Sequence, residues 1–175
     1  MLMASRLWMR ALAVVLLSGC SATPNAPVAA EATDDVLSRF RALDGEWTST
    51  VESTEMPPIA ATYRTIANGS AVVETLLADT PDEMISVFFL DGDRLLMTHY
   101  CAAQNQPHLV ANEISENSVS FVADHITNHN DPNAMYMGEA TWFFVDENHI
   151  RIRWWSFENG QRGDPMTVNS TRVVD

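Results

Sequence analysis

The sequence predicts an all-β domain: an up-and-down antiparallel barrel of about ten strands, preceded by one short helix. Three observations carry this. After residue 45 the chain reads as strand after strand. Asn68-Gly69, Asp91-Gly92 and Asn159-Gly160, which tolerate the positive φ of tight hairpins, punctuate it, helped by Pro81-Asp82, Ser115-Glu116-Asn117 and Glu147-Asn148. Only one window, Thr33–Leu43, keeps helical spacing. A meander of this length must hide two strand edges, and closing it into a barrel is the simplest way.

The elements follow in chain order. Residues 1–19 read as a lipoprotein signal peptide: Arg6 and Arg10 supply a positive start, and Ala11–Leu17 is an apolar run too short to span a bilayer. Leu17-Ser18-Gly19-Cys20 then places small residues before a cysteine. This is similar to the lipobox of bacterial lipoproteins, whose cysteine carries the lipid after cleavage. The resemblance implies anchoring of Cys20 in a bilayer. Ser21 after it, rather than Asp, implies the outer membrane, with the domain facing the periplasm.

Residues 20–33 are rich in Ala and Pro and read as a tether, leaving 34–175 as the folded domain. Thr33 is suited to cap the helix, Asp34 and Asp35 to its positive end, and Val36, Leu37, Phe40 and Leu43 to one apolar face. Ten strands follow: Glu46–Thr54, Ala60–Ala67, Ala71–Ala78, Met84–Leu90, Arg94–Cys101, His108–Ile114, Val119–Ile126, Tyr136–Val145, His149–Phe157 and Met166–Val173.

Gly45-x-Trp47 opens the first strand and Arg172 lies in the last. This resembles the calycins, the lipocalin and fatty-acid-binding-protein group, in which a G-x-W tryptophan closes one barrel end beneath an arginine of the last strand. The resemblance implies a barrel that holds a small ligand. No helical pattern follows the last strand, which favours ten strands over the eight of lipocalins. Asp91–Pro107 is also similar to a group of bacterial barrel proteins without assigned function, through its Asp-Gly hairpin, Thr98-His99-Tyr100-Cys101 strand and Asn105-Gln106-Pro107 turn.

Composition excludes several chemistries. The net charge is −13, and all ten basic residues are arginine, so Schiff-base lysine chemistry is absent and acidity argues against a nucleic-acid partner. Removal of the leader, with Arg6 and Arg10, leaves eight arginines against 23 acids. With Cys20 lipidated, Cys101 has no intrachain partner. G-x-S-x-G, H-E-x-x-H, C-x-x-C and phosphate-cradling glycine loops do not occur, which argues against an enzyme.

Candidate site residues fall in two regions. On a strand His99 and Cys101 share one face with Leu95 and Met97, while Tyr100 points to the other. Gln104 and Asn105 follow at the strand end, where a barrel has its mouth and reads a ligand's polar part. The second region is the aromatic hairpin. With Glu147-Asn148 as a two-residue turn, Phe143 and Val145 oppose Ile152 and Ile150, and Trp142 and Phe144 share the face of Arg151, Arg153 and Trp155. Facing inward, the arginines would grip an anionic head group; facing outward, they form a solvated wall.

The sequence therefore predicts a lipid-anchored barrel for a small, largely apolar ligand, with an acidic head as one option and no cofactor required. The alternative is a metal ion or haem, or an enzyme, built on His99, Cys101 and His125. A third reading is an interaction lipoprotein: both faces of residues 84–90 and 94–101 are apolar, so the helix, a partner or a second copy should cover the outer one.

Overall fold

The computed structural model describes residues 30–174; side chains are described from Val36 onward. The signal peptide, the Cys20 lipobox and most of the tether lie outside the described residues. Helix α1 spans Ala30–Arg41. It therefore starts three residues before the expected Thr33 cap, inside the stretch assigned to the tether. The strands are β1 Gly45–Val51, β2 Ile59–Ile66, β3 Ala71–Leu76, β4 Met84–Asp91, β5 Arg94–Tyr100, β6 Gln106–Ile114, β7 Ser118–Thr127, β8 Tyr136–Asp146, β9 His149–Glu158, β10 Gln161–Arg162 and β11 Met166–Arg172. Every pairing is antiparallel. The sheet runs from β9 through β11, β1 and onward to β8, and β8 pairs back onto β9, which closes a ten-strand barrel. The two-residue β10, too short for any periodicity, is an extra strand on the edge of β9.

Alternation sorts side chains between an inner and an outer face. Trp47, Tyr63, Val72, Phe88, Met97, Leu109, Phe121, Trp142 and Ile152 point inward and are buried. The helix sits across the end where β1 begins and plugs it. Phe40, with no exposed surface, stacks on Phe88 at 4.3 Å and meets Phe121, Trp142 and Phe144 edge-on at 5.4–6.1 Å. Its amphipathic spacing thus serves the barrel's end. The outer face of β4 and β5 is left to Ile85, Val87, Phe89 and Leu96, each half-buried.

The helix is latched in place. The Arg172 guanidinium lies 4.5 Å from the Trp47 ring centre and donates to the carbonyls of Ala42, Asp44 and Glu147, while Trp47 Nε1 donates to Leu43 O at 2.8 Å. These bonds tie the turn after the helix to the first strand, the last strand and the β8–β9 turn. Gly45 has φ +134°, a backbone conformation strained for any L side chain, and a Cβ there would press on the latch at 3.0 Å from Arg172 Nη1. The G-x-W resemblance is realised as a physical joint.

One register expectation is overturned. Trp142 opposes Ile152 and Phe144 opposes Ile150, while Asp146 opposes His149. Val145 is the extra residue of a bulge, which shifts β8 by one and exchanges its faces. Trp142 and Phe144 therefore join Ile150 and Ile152 inside. Phe143 and Val145 join Arg151 and Arg153 outside.

Candidate functional site

The barrel end opposite the helix is open. Inward-facing Val51, Leu76, Met84, Cys101, Met137 and Val168 are half-buried there, and Met166 is 43% exposed; at the helix-capped end Leu90 and Phe144 are half-buried too, but Phe40, Phe88, Phe121 and Trp142 are sealed. Met56 and Met135, in the connections after β1 and β7, stand at the same rim. Five of the six methionines among the described residues thus gather at one end, and only Met97 lies deeper. Unbranched thioether side chains adapt to irregular apolar shapes.

Beneath this mouth lies a buried polar floor. Trp142 Nε1 donates to Tyr63 Oη at 3.2 Å, and the Tyr63 hydroxyl donates to Glu74 Oε1. On the next two strands the Ser86 hydroxyl lies 3.0 Å from His99 Nδ1, and the His99 ring packs 4.8 Å from Trp154. The register makes this layer: Tyr63 opposes Glu74, Glu74 opposes Ser86, and Ser86 opposes His99. Ser49 and Ser170 complete it with a 2.7 Å hydroxyl pair. Glu74 and His99 are 1% and 3% exposed. Burial raises the Glu74 carboxyl above its usual 4.5, against the Tyr63 and Ser86 hydroxyls, which favour the carboxylate. It lowers His99 to about 4, so the imidazole is neutral, and it lifts the Tyr63 phenol further above 10, aided by Glu74. Among the described residues two buried atoms have no hydrogen-bond partner: Glu74 Oε2 and Asn105 Oδ1.

The expected site residues divide accordingly. His99 lies in the floor. Asn105 is buried at the rim, its Nδ2 donating to Met135 O at 2.8 Å. Gln104, exposed and at φ +62°, accepts Asn128 Nδ2 on its carbonyl at the same rim. Tyr100 points outward and is 51% exposed. Arg151, Arg153 and Trp155 stand on the outer wall: Arg151 donates to Asn169 Oδ1, Arg153 lies over the Phe143 ring, and Arg162 covers Trp155. An interior ligand meets neither arginine.

The His99, Cys101 and His125 constellation is split by the barrel wall. His99 faces in, whereas His125 lies on the exterior, stacked on His108 at 4.3 Å with an interplanar angle of 7°. Among the described residues no group of three or more His, Cys, Asp or Glu side chains is placed to hold one metal ion. The Cys101 thiol, half-buried at the rim, is raised above its usual pKa by burial, the reverse of an activated nucleophile.

A groove of about 720 Å³ lies at the helix-capped end, and two of its lining arginines hold the barrel closed. Arg172 there holds three carbonyls, and Arg39 donates to Ser115 O. Tyr63, Glu74, Ser86 and Trp154 escaped the sequence reading. Their signal was a carboxylate at period two between Val72 and Leu76, on what must be a core face. No protein-family model matches the chain, and no curated protein matches it either.

Proposed function

We propose that the chain is a binding barrel of the cell envelope that takes a small, largely apolar ligand at its open end. The observation that carries this is the gathering of Met56, Met84, Met135, Met137 and Met166 around a buried polar floor, at the end away from the helix plug. The plugged half is filled by Phe40, Phe88, Phe121 and Trp142, so the ligand space is shallow and suits a compact ligand rather than a long extended chain. Calycin kinship fits the Trp47–Arg172 joint.

Native mass spectrometry of the domain from residue 30, purified from cells, is expected to show an added mass that leaves on denaturation. The neutral dye N-phenyl-1-naphthylamine is expected to brighten on binding and to be displaced by short alcohols. A clean unliganded mass together with an unresponsive dye would sink the reading. The same spectrum tests a second reading. The outer stripe of Ile85, Val87, Phe89 and Leu96, flanked by exposed Tyr100, favours a partner, and a dimer mass would assign it to a second copy.

Anchoring rests on Cys20. Cells grown with labelled palmitate are expected to label the native chain, and Cys20→Ser is expected to abolish that label and release the protein from the membrane fraction. An unlabelled native chain would remove the lipid from the proposal.

A further inference from the structure

The charge around the mouth and the unpartnered atoms beneath it specify the kind of ligand. The connections at the open end carry Glu52 and Glu55 after β1, Asp79, Asp82 and Glu83 after β3, Asp131 after β7 and Asp164 before β11, all exposed. Against them stands one guanidinium, Arg162, already paired with Glu139 at 2.6 Å. The other end is where Arg39, Arg41, Arg94 and Arg172 collect. An anion approaching the mouth therefore meets seven carboxylates, and a cation is drawn in.

The second observation is independent of that field. Glu74 Oε2 and Asn105 Oδ1 are buried and unpartnered among the described residues, Asn105 in the β5–β6 turn at the open end and Glu74 in the middle of β3. Buried polar atoms without partners are rare in folded proteins. Asn105 Oδ1 can only accept, its amide nitrogen being engaged by Met135 O. As a carboxylate, Glu74 likewise only accepts, and Oε1 is already taken by Tyr63. What both atoms call for is a donor. Glu74 lies one inward-facing step below Leu76 and Met84, whose side chains stand between it and the rim.

We propose that the mouth takes a protonated amine on a short apolar body, its N–H donors directed at Glu74 and Asn105. This rests on the binding-barrel reading above and narrows it to one ligand class, with the methionines packing the apolar part. The arginines that suggested an anionic head group stand outside the barrel and do not bear on it.

The test uses three probes of one length, n-octylammonium, n-octanol and octanoate, titrated calorimetrically into the domain from residue 30 at pH 7 and low salt. The ammonium is expected to bind at least tenfold more tightly than the alcohol, and octanoate more weakly than either. Glu74→Gln is expected to remove most of the ammonium's advantage over the alcohol. Raising salt is expected to weaken the ammonium alone, a readout that requires no variant. Octanoate binding as tightly as octylammonium would overturn the cation assignment while leaving apolar binding standing. An ammonium-to-alcohol affinity ratio that the variant leaves unchanged would remove Glu74 as the seat. Binding of none of the three would overturn both the assignment and the reading beneath it.

Discussion

Replacing Phe40 with alanine is expected to lower the stability of the domain by about 3–5 kcal/mol, a large share of what a single domain possesses. The side chain is fully buried and touches four other rings: Phe88 face-on, and Phe121, Trp142 and Phe144 edge-on. Those rings come from β4, β7 and β8, which cannot close on one another because the closed barrel fixes their spacing. The lost side chain therefore leaves a cavity, and the cavity cost adds to the lost transfer energy. Aromatic pairs of this geometry also contribute beyond their area, about 0.5–1.5 kcal/mol each. With a urea m-value of about 2 kcal/mol/M, the midpoint should fall by about 2 M. Phe143→Ala is the control. Its ring sits on the outer wall beneath Arg153, and its removal should cost about 1 kcal/mol or less. Similar losses in the two variants would refute both the plug and the bulge that assigns Phe143 and Phe144 to opposite faces.

That contrast also marks where the sequence was legible. Strand positions were legible because Asn68-Gly69, Asp91-Gly92 and Asn159-Gly160 sit where the chain must turn, and positive φ at Asn68, Gly92, Asn159 and Gly160 is what it uses there. The Trp47–Arg172 joint was legible because a G-x-W opener and a terminal-strand arginine are local signals. The faces of β8 were not, because a bulge is a single extra residue with no composition of its own. Val145 looks like any strand valine, yet it exchanged the inside and outside of β8. The polar floor was hidden for a different reason. Tyr63, Glu74, Ser86 and His99 come from four successive strands, and only their register brings them into one layer. Within each strand alone, each looks like an isolated polar residue.

That layer should reveal itself through opposite pH slopes in two variants. His99 is held neutral, its pKa lowered by burial from 6.5 to about 4. The unfolded chain takes up this proton from about pH 6.5 downward and the folded one only near 4. The stability contributed by neutral His99 is thus complete above pH 6.5 and lost as pH falls toward 4, about 3 kcal/mol in all. Glu74 runs the other way, because burial raises its pKa above 4.5. Its contribution is complete below pH 4.5 and is lost as pH rises through the folded value. Between pH 4.5 and 6.5 the two oppose each other in the native protein. In His99→Gln the Glu74 effect is left unopposed, so urea midpoints across this window should tilt downward with rising pH relative to the native protein. In Glu74→Gln the His99 effect is unopposed, and they should tilt downward with falling pH. Groups elsewhere titrate equally in both variants and cancel when one profile is subtracted from the other. Ser86, which lies between the two strands, has one proton to give, so loss of either neighbour frees it for the other. Parallel profiles in the two variants would mean that neither group titrates as its burial dictates, and the floor would then be open to water.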